Sequence, residues 1–130
     1  MRREVLVPDG WSMPLSMYSP GIKVGNAIHV AGIVARDDAG NLVGRGDCGA
    51  QTRQVLRTIE KILAAGGASL ADVAITEVIL KDMGDWPAMN EAWAEFFPKD
   101  PPARYSYEAN LAKPEFLVEI VATAYVGSGA

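Results

Sequence analysis

The first third of the chain alternates apolar and polar residues at the period of a β-strand. Residues 3–7 predict a short strand that stops at a Pro-Asp-Gly turn, and residues 11–21 are typical of a loop. Residues 22–34 predict either a pair of strands or one bent strand, because a Gly-Asn dipeptide, which is a turn signal, interrupts their apolar pattern. The polar run 37–41 predicts a turn, after which 42–44 can return as a short strand. This part of the chain is therefore expected to be rich in β-structure.

Two later segments change to the period of an α-helix. Asp47 is a candidate N-cap for a first helix over 50–65, and Gly66 supplies its stop. Asp85 is a candidate N-cap for a second helix, which Pro98 ends. Each helix has one apolar face, formed by Val55, Ile59, Ile62 and Leu63 in the first and by Met89, Trp93, Phe96 and Phe97 in the second.

Three further runs predict strands, namely the β-branched segment 73–80 and the segments 104–109 and 116–126. The order is thus ββ(β)-α-β-α-β-β. Two amphipathic helices require a sheet face to cover, so the pattern predicts an α+β layer. A length of 130 residues without a long linker or repeat predicts one domain, 1–130. The last two strands are expected to pair as an antiparallel hairpin.

Composition and charge narrow the class of function. The chain is 49% hydrophobic and 22% charged, as is usual for a globular protein, and its net charge is −4. It has no stripe of Lys and Arg, which argues against a binder of nucleic acid or membrane surfaces. No apolar run approaches the roughly 20 residues that cross a bilayer, and the N-terminus has no apolar segment of a signal peptide.

A single cysteine and a single histidine limit the chemistry further. Cys48 alone excludes an intrachain disulfide and a cysteine-rich zinc site, and it favours a reducing, cytoplasmic location. His29 alone excludes a multi-histidine metal site. Nothing near Cys48 completes a Cys-His pair, so we expect it to be inert. His29 lies in a predicted strand, where a histidine more often has a structural role than a role as a metal ligand or general base.

Glu119 is the most unusual residue of the chain, because it interrupts the apolar strand 116–126. A carboxylate held partly out of water becomes neutral or finds a cationic partner. Arg104 is the nearest upstream candidate, because a hairpin centred between Leu111 and Ala112 places it opposite Glu119. A one-residue slip in register would separate the pair. The pair predicts either a structural ion pair or a site that binds a small carboxylate and activates water.

Three other polar residues are weaker candidates when taken singly. Tyr18 lies in a predicted loop, where it can cover a site or simply pack against a turn. Asn90 follows Met89 on the second helix, where a solvated position is an equally ordinary explanation. Ser106 stands two positions beyond Arg104, and no base is placed to make it a nucleophile.

Several separated motifs resemble the Rid proteins, the reactive intermediate deaminases that are also called YjgF-type or endoribonuclease L-PSP proteins. They occur in the family's order as Ala-Gln-Thr-Arg-Gln-Val-Leu at 50–56, Asn-Glu-Ala-Trp-Ala-Glu-Phe-Phe at 90–97, Pro-Ala-Arg at 102–104 and Val-Glu-Ile at 118–120. The first motif and the stretch 94–104 are similar to the branch that handles aminoacrylate in pyrimidine breakdown. The 2-aminomuconate deaminase branch shares some of these features.

This resemblance implies a chorismate-mutase-like α+β protomer with a mixed sheet covered by two helices. It also implies a homotrimer whose sheets form a central barrel, with three clefts between subunits. The family hydrolyses enamines and imines, such as 2-aminoacrylate, to a keto acid and ammonia without metal or organic cofactor. By the resemblance, Arg104 binds the substrate carboxylate and Glu119 positions water. Burial of Glu119 would raise its pKa, which suits acid–base catalysis near neutrality.

The remaining site residues are implied by position in the family pattern. Tyr18 matches the loop tyrosine of the family's substrate site, and Asn90 matches its helix asparagine. Two positions depart from the pattern, because Ala31 stands where many members have Ser, and Ser106 stands where the archetypes have Cys. Both departures concern the choice of substrate more than the chemistry.

Two other functions compete with an imine or enamine deaminase. A non-catalytic trimer would bind small carboxylate metabolites in the same clefts, and saturable binding of a keto acid without turnover would identify it. A ribonuclease, which the family's older label implies, is disfavoured by the net charge of −4 and by the absence of a basic groove.

Overall fold

The computed structural model of the protein describes residues 2–11 and 17–130. These residues form a six-stranded mixed sheet with two helices on one face. The strands lie in the order β1-β2-β3-β6-β4-β5, and each neighbouring pair is antiparallel except β4 with β5. The predicted α+β class is confirmed. The strands are β1 (Arg3–Leu6), β2 (Gly21–Val24), β3 (Ala27–Ile33), β4 (Val73–Leu80), β5 (Ala103–Glu108) and β6 (Val118–Tyr125).

The N-terminal strands form where the alternating pattern predicts them, with one exception. β2 and β3 are joined at Gly25, whose φ of +61° suits a glycine in a tight turn. The predicted strand at 42–44 does not form, since Leu42 makes only an isolated bridge to Arg36. Three residues are too few to continue strand pairing beyond the turn at 37–41. In that turn the Asp37 carboxylate accepts a hydrogen bond from the Asn41 backbone N–H. The predicted loop 11–21 lies partly outside the described residues.

Both predicted helices are present. α1 (Cys48–Ala65) begins at Asp47, whose side chain accepts a hydrogen bond from the Ala50 backbone N–H at 3.0 Å. α2 (Trp86–Phe96) begins at Asp85, which makes no side-chain capping bond. No helix within the described ranges is long and apolar enough to cross a membrane.

The apolar faces of α1 and α2 cover one face of the sheet and form the core. Its fully buried members include Val55, Ile59, Ile62, Leu63, Met89, Val78, Val118 and Ile120. The other face, called the open face below, carries exposed apolar or aromatic side chains at Val5, Ile75, Tyr105, Tyr107 and Tyr125. The helices thus divide the sheet into a covered and an uncovered side.

The predicted hairpin of the last two strands is wrong. α2 carries the chain across the sheet, so β5 joins the outer side of β4 in parallel. The segment after β5 then returns, and β6 inserts between β3 and β4. The polarity of the two strands explains which of them is central. β6 buries alternate apolar residues and lies between two neighbouring strands, whereas the more polar β5 can tolerate the edge of the sheet.

Candidate active site

Arg104 and Glu119 do not lie opposite each other, so the predicted register was wrong. Thr76 on β4 pairs with Arg104 on one side and with Ala122 on the other. Thr76 and Ala122 are both buried under the helices, so Arg104 belongs to the helix-covered face. Glu119 lies between two fully buried residues of β6, and strand alternation therefore places it on the open face. The predicted Arg104–Glu119 ion pair does not form within one protomer.

The guanidinium of Arg104 rests on α2. Its Cζ lies 4.9 Å from the ring centroids of both Trp86 and Trp93, and its Nη1 lies 3.7 Å from Met89 Sδ. Within the described residues, no Asp or Glu forms a salt bridge with it. Burial lowers the pKa of Arg104, but a guanidinium stays protonated at neutral pH. The result is a half-buried cation whose N–H donors are not committed to a carboxylate.

Ser106 shares the helix-covered face with Arg104. Its neighbour on β4, Val78, is fully buried, and the Ser106 Oγ is itself buried without a hydrogen-bond partner among the described residues. A buried hydroxyl in this state costs about 1–3 kcal/mol unless water or a ligand satisfies it. Arg104, Ser106, Trp86 and Trp93 form the arginine half-site. An open cavity there is lined by Met83, Gly84, Trp86, Pro87 and Ser106.

Glu119 belongs to a second group of residues around a cavity of about 400 Å³. Its carboxylate lies directly against Gly32, where an added Cβ would clash with Oε2. The β3–β6 register shifts between Val30 and Ile33, and this irregularity brings the glycine and the carboxylate together. Glu119, Tyr18, Ala31, Gly32 and Phe116 form the glutamate half-site. The cavity is lined by these five residues with Val34 and Ala112.

The pKa of Glu119 is raised, first by burial and then by the negative charge of Glu77. Glu77 pairs with Val121 and shares the open face with Glu119. Two phenols donate hydrogen bonds to the Glu77 carboxylate, Tyr105 to Oε1 at 3.1 Å and Tyr107 to Oε2. These bonds raise the pKa of both phenols. This group of Glu77, Tyr105 and Tyr107 was not identified from the sequence. Its signal was a pair of tyrosines at alternating positions of one strand, together with a charged residue inside another, apolar strand.

Of the other predicted site residues, two join the glutamate half-site and one lies outside both half-sites. Tyr18, which is 44% exposed, and Ala31 line the glutamate cavity. Asn90 is half-buried on α2 beside Met89 and lines neither cavity. The structure therefore groups Tyr18 and Ala31 with Glu119 and leaves Asn90 outside both linings.

Gln51 is a structural residue of the site that sequence reasoning did not assign. It is fully buried, and its Nε2 donates to the carbonyls of Gly44 at 3.2 Å and Glu115 at 3.0 Å. Its Oε1 accepts from the Leu117 N–H at 2.8 Å. These bonds fix the segment that enters β6, including Phe116 in the glutamate cavity. The Gln of the Ala-Gln-Thr-Arg motif thus supports the site from behind.

The one cysteine and the one histidine of the sequence line neither of the two cavities. Burial raises the pKa of the Cys48 thiol to about 11, so it stays protonated, in agreement with the expected inertness. His29 is exposed on the open face, with Nδ1 3.5 Å from Thr123 Oγ1. No group of three or more His, Cys, Asp or Glu side chains in residues 2–11 and 17–130 is arranged to hold a metal ion.

Known proteins share both the sequence pattern and this fold. The family model described as Endoribonuclease L-PSP matches residues 12–126. The 3-aminoacrylate deaminase RutC of Acinetobacter baylyi is 43% identical over 126 residues, which covers 97% of this chain and 100% of RutC. The crystal structure of RidA from a Psychrobacter species has a TM-score of 0.87 at 29% identity, covering 95% of this chain and 99% of RidA.

A Mycobacterium tuberculosis member of the YjgF family is 35% identical, with a TM-score of 0.81 over 96% of this chain and 100% of that one. The match of the family model and the identity to RutC both extend over almost the whole chain. The chain therefore belongs to the endoribonuclease L-PSP family, also known as the Rid or YjgF proteins.

Proposed function

We propose that the protein is a hydrolytic deaminase that converts reactive enamine or imine acids of the aminoacrylate type to an oxo acid and ammonia. The observation that carries this is the state of Arg104, a half-buried cation without a carboxylate partner among the described residues. A free guanidinium fork matches a carboxylate with two parallel hydrogen bonds. The similarity to the 3-aminoacrylate deaminase RutC supports an aminoacrylate as the class of substrate.

The active site is then a cleft shared between two subunits. Arg104 and Glu119 point to opposite faces of one sheet, so one protomer does not present both groups to the same small substrate. Arg104 lies on the edge strand β5, where a neighbouring subunit can approach. Exposed aromatic and aliphatic side chains on the open face supply an apolar surface that assembly would cover. A homotrimer in which each cleft pairs two half-sites satisfies these constraints.

The two half-sites would perform different parts of the reaction. The guanidinium of Arg104 binds the substrate carboxylate, and the enamine gains a proton on carbon and loses one from nitrogen to become an imine. Water adds to the carbon that bears nitrogen, Glu119 accepts a proton from this water, and the proton passes to the amino group. The hydroxyl proton is then transferred to nitrogen as the C–N bond breaks, so ammonia leaves and the carbonyl forms. The raised pKa of Glu119 suits both steps of this proton transfer.

The test of this function is ammonia release from an intermediate made in the same vessel. An amino-acid dehydratase or oxidase generates the enamine or imine, and the purified protein is added at increasing concentration. We expect the rate of ammonia release to exceed the spontaneous rate in proportion to the protein added. A rate equal to the spontaneous one for aminoacrylate and for several imino acids would refute the proposal.

The shared cleft is tested by mixing two inactive subunits. If Arg104→Ala and Glu119→Gln chains are co-expressed, a cleft is intact when the first chain supplies Glu119 and the second supplies Arg104. Random trimers contain roughly a quarter of such clefts, so we expect about a quarter of the wild-type rate. Co-expression of Arg104→Ala with the double variant is the control, because it restores no cleft. Activity no higher than that of this control would contradict a shared site.

The same experiments separate a deaminase from a non-catalytic binding protein. Ala31 contributes only a methyl group to the glutamate cavity, so this part of the lining offers the substrate no side-chain hydrogen bond. A protein that only binds would give saturable calorimetric binding of pyruvate without any acceleration of ammonia release. We expect both binding and acceleration.

A further inference from the structure

We propose that Trp86 and Trp93 are positioning residues for Arg104, holding its guanidinium so that the N–H groups remain available to a carboxylate. The inference rests on the proposed role of Arg104 as the anchor of the substrate. Both rings lie at 4.9 Å from Cζ, inside the distance of about 6 Å at which a cation is attracted to an aromatic face.

A cation–π contact and an ion pair differ in how many N–H donors of the guanidinium they leave available to a substrate. A guanidinium has five N–H donors, and contact with a ring face occupies none of them in a conventional hydrogen bond. The long arginine side chain also carries considerable rotamer entropy, which a fixed position removes before the substrate arrives. The Trp86–Trp93 pair can therefore orient the charge while keeping the carboxylate-binding edge open.

Arg53 shows the contrasting arrangement within the same molecule. Its Nε and Nη2 both donate to the carboxylate of Glu95, with the shortest distance at 2.7 Å. A substrate carboxylate would have to displace Glu95 before it could use that fork. Arg104, supported by rings and by the Met89 thioether, has no such competitor among the described residues.

The two tryptophans contribute unequally to the rest of the fold. Trp93 is only 7% exposed, belongs to the core and packs against Phe97 in a tilted arrangement with centroids 4.5 Å apart. Trp86 is half-buried, starts α2 and lines the open cavity beside Ser106. Trp86 is therefore the better position for a test, because its replacement disturbs less of the core.

The kinetic test compares Trp86→Leu with Trp86→Phe. Leucine keeps an apolar side chain but removes the ring face, and we expect KM for the imine to rise about fivefold. Phenylalanine retains a ring and should recover most of this loss, while kcat changes less than KM because Glu119 is untouched. The matched control is Phe96→Leu, which removes a ring under Arg57 at 5.9 Å, away from both half-sites. That control should leave KM at the wild-type value.

A measurement without ligand keeps this inference separate from the proposed function. In the NMR spectrum the Nε proton of Arg104 should be shifted upfield by the ring currents of the two indoles, and Trp86→Leu should reduce the shift. A folded Trp86→Leu protein with wild-type KM, or an Arg104 Nε proton at the position of exposed arginines, would overturn the positioning role. If wild-type protein neither binds pyruvate nor releases ammonia, the proposed function fails, whatever the NMR result.

Discussion

The arginine and glutamate half-sites show two ways in which one small sheet keeps a charge partly out of water. Arg104 lies over the faces of two indole rings and keeps its charge, since burial lowers the pKa of a guanidinium that still stays protonated at neutral pH. Glu119 lies against a glycine in a mainly apolar cavity, and burial raises its pKa. The permanent charge suits an anchor, whereas the adjustable one suits proton transfer.

Because their charges differ in this way, the two half-sites should respond differently to mutation. Changes in the arginine half-site should act mainly on substrate binding, and changes in the glutamate half-site mainly on turnover. Four substitutions test that division, each against a control of the same chemical type.

Glu119→Gln is expected to have the largest effect. The amide keeps the size of the side chain but cannot accept the proton of water, so kcat should fall by about 10²- to 10⁴-fold while KM changes little. Steady-state ammonia release measures both constants. The control is Glu60→Gln, an exposed carboxylate on α1. Retention of kcat within a few-fold of the wild type would remove Glu119 from the chemistry.

Arg104→Ala should reduce kcat/KM by about 10²- to 10³-fold, because two charge-assisted hydrogen bonds to the substrate are lost. Arg104→Lys keeps the charge but not the fork, so it should fall between the alanine variant and the wild type. Arg57→Ala is the control, since Arg57 also lies over an aromatic ring but outside both half-sites. Equal losses for Arg57→Ala and Arg104→Ala would contradict a specific anchor.

Gly32→Ala should reduce kcat on the order of tenfold or more, because its Cβ would displace the Glu119 carboxylate from its position. The expected change is in turnover, with pyruvate binding by calorimetry near the wild-type value. Gly49→Ala is the control, since the nearest atom to its added Cβ is 3.5 Å away. If both glycine variants have wild-type kcat, the contact between Gly32 and Glu119 has no part in catalysis.

Glu77→Gln should have the smallest effect and should change the pH profile. Among the described residues, the charged or titratable groups near Glu119 include Glu77 from β4, Tyr107 from β5 and Tyr18 in the same cavity, and the Glu77 charge raises the pKa of Glu119. Removing that charge lowers this pKa, and Glu119 must be ionised to accept a proton from water. The acidic limb of kcat/KM should therefore move to lower pH. Glu60→Gln should leave the limb where it is.

The same pKa shift predicts a dependence of stability on pH. A glutamate whose folded pKa lies above its unfolded value contributes stability that is complete below the unfolded pKa and is lost as pH rises through the folded pKa. The melting temperature of the wild type should therefore decline across that interval relative to Glu119→Gln. Parallel melting curves for the two proteins across this interval would contradict a raised pKa.

Local pattern was sufficient for most secondary structure. Strand β4 and helix α1 follow from periods of two and 3.6 and from the Asp47 cap, which depend only on residues close in sequence. The alternation of β6 also marked Glu119 as a partly buried carboxylate, and its raised pKa agrees with that expectation. The family motifs added the class of protein.

Local pattern was not sufficient for the geometry of the site. The hairpin prediction treated consecutive strands as neighbours, but α2 sends β5 to the edge and leaves the central position to β6. β4 lies between them, and its register pairs Arg104 with Thr76 and Glu119 with Ile79, so the two side chains face opposite sides of the sheet. The aromatic support of Arg104 was equally hidden, because Met89 and Trp93 read as ordinary core positions of an amphipathic helix.

The sequence by itself therefore determined most of the helices and strands, the family and the two charged residues that stand out from their surroundings. These features depend on residue identity and short-range periodicity, which a chain carries before it folds. Only the tertiary structure decided that Arg104 rests on tryptophans and that Glu119 lies against Gly32 on the other face. Strand order and register depend on contacts between residues far apart in sequence, and a change of one position in register reverses the face of every side chain.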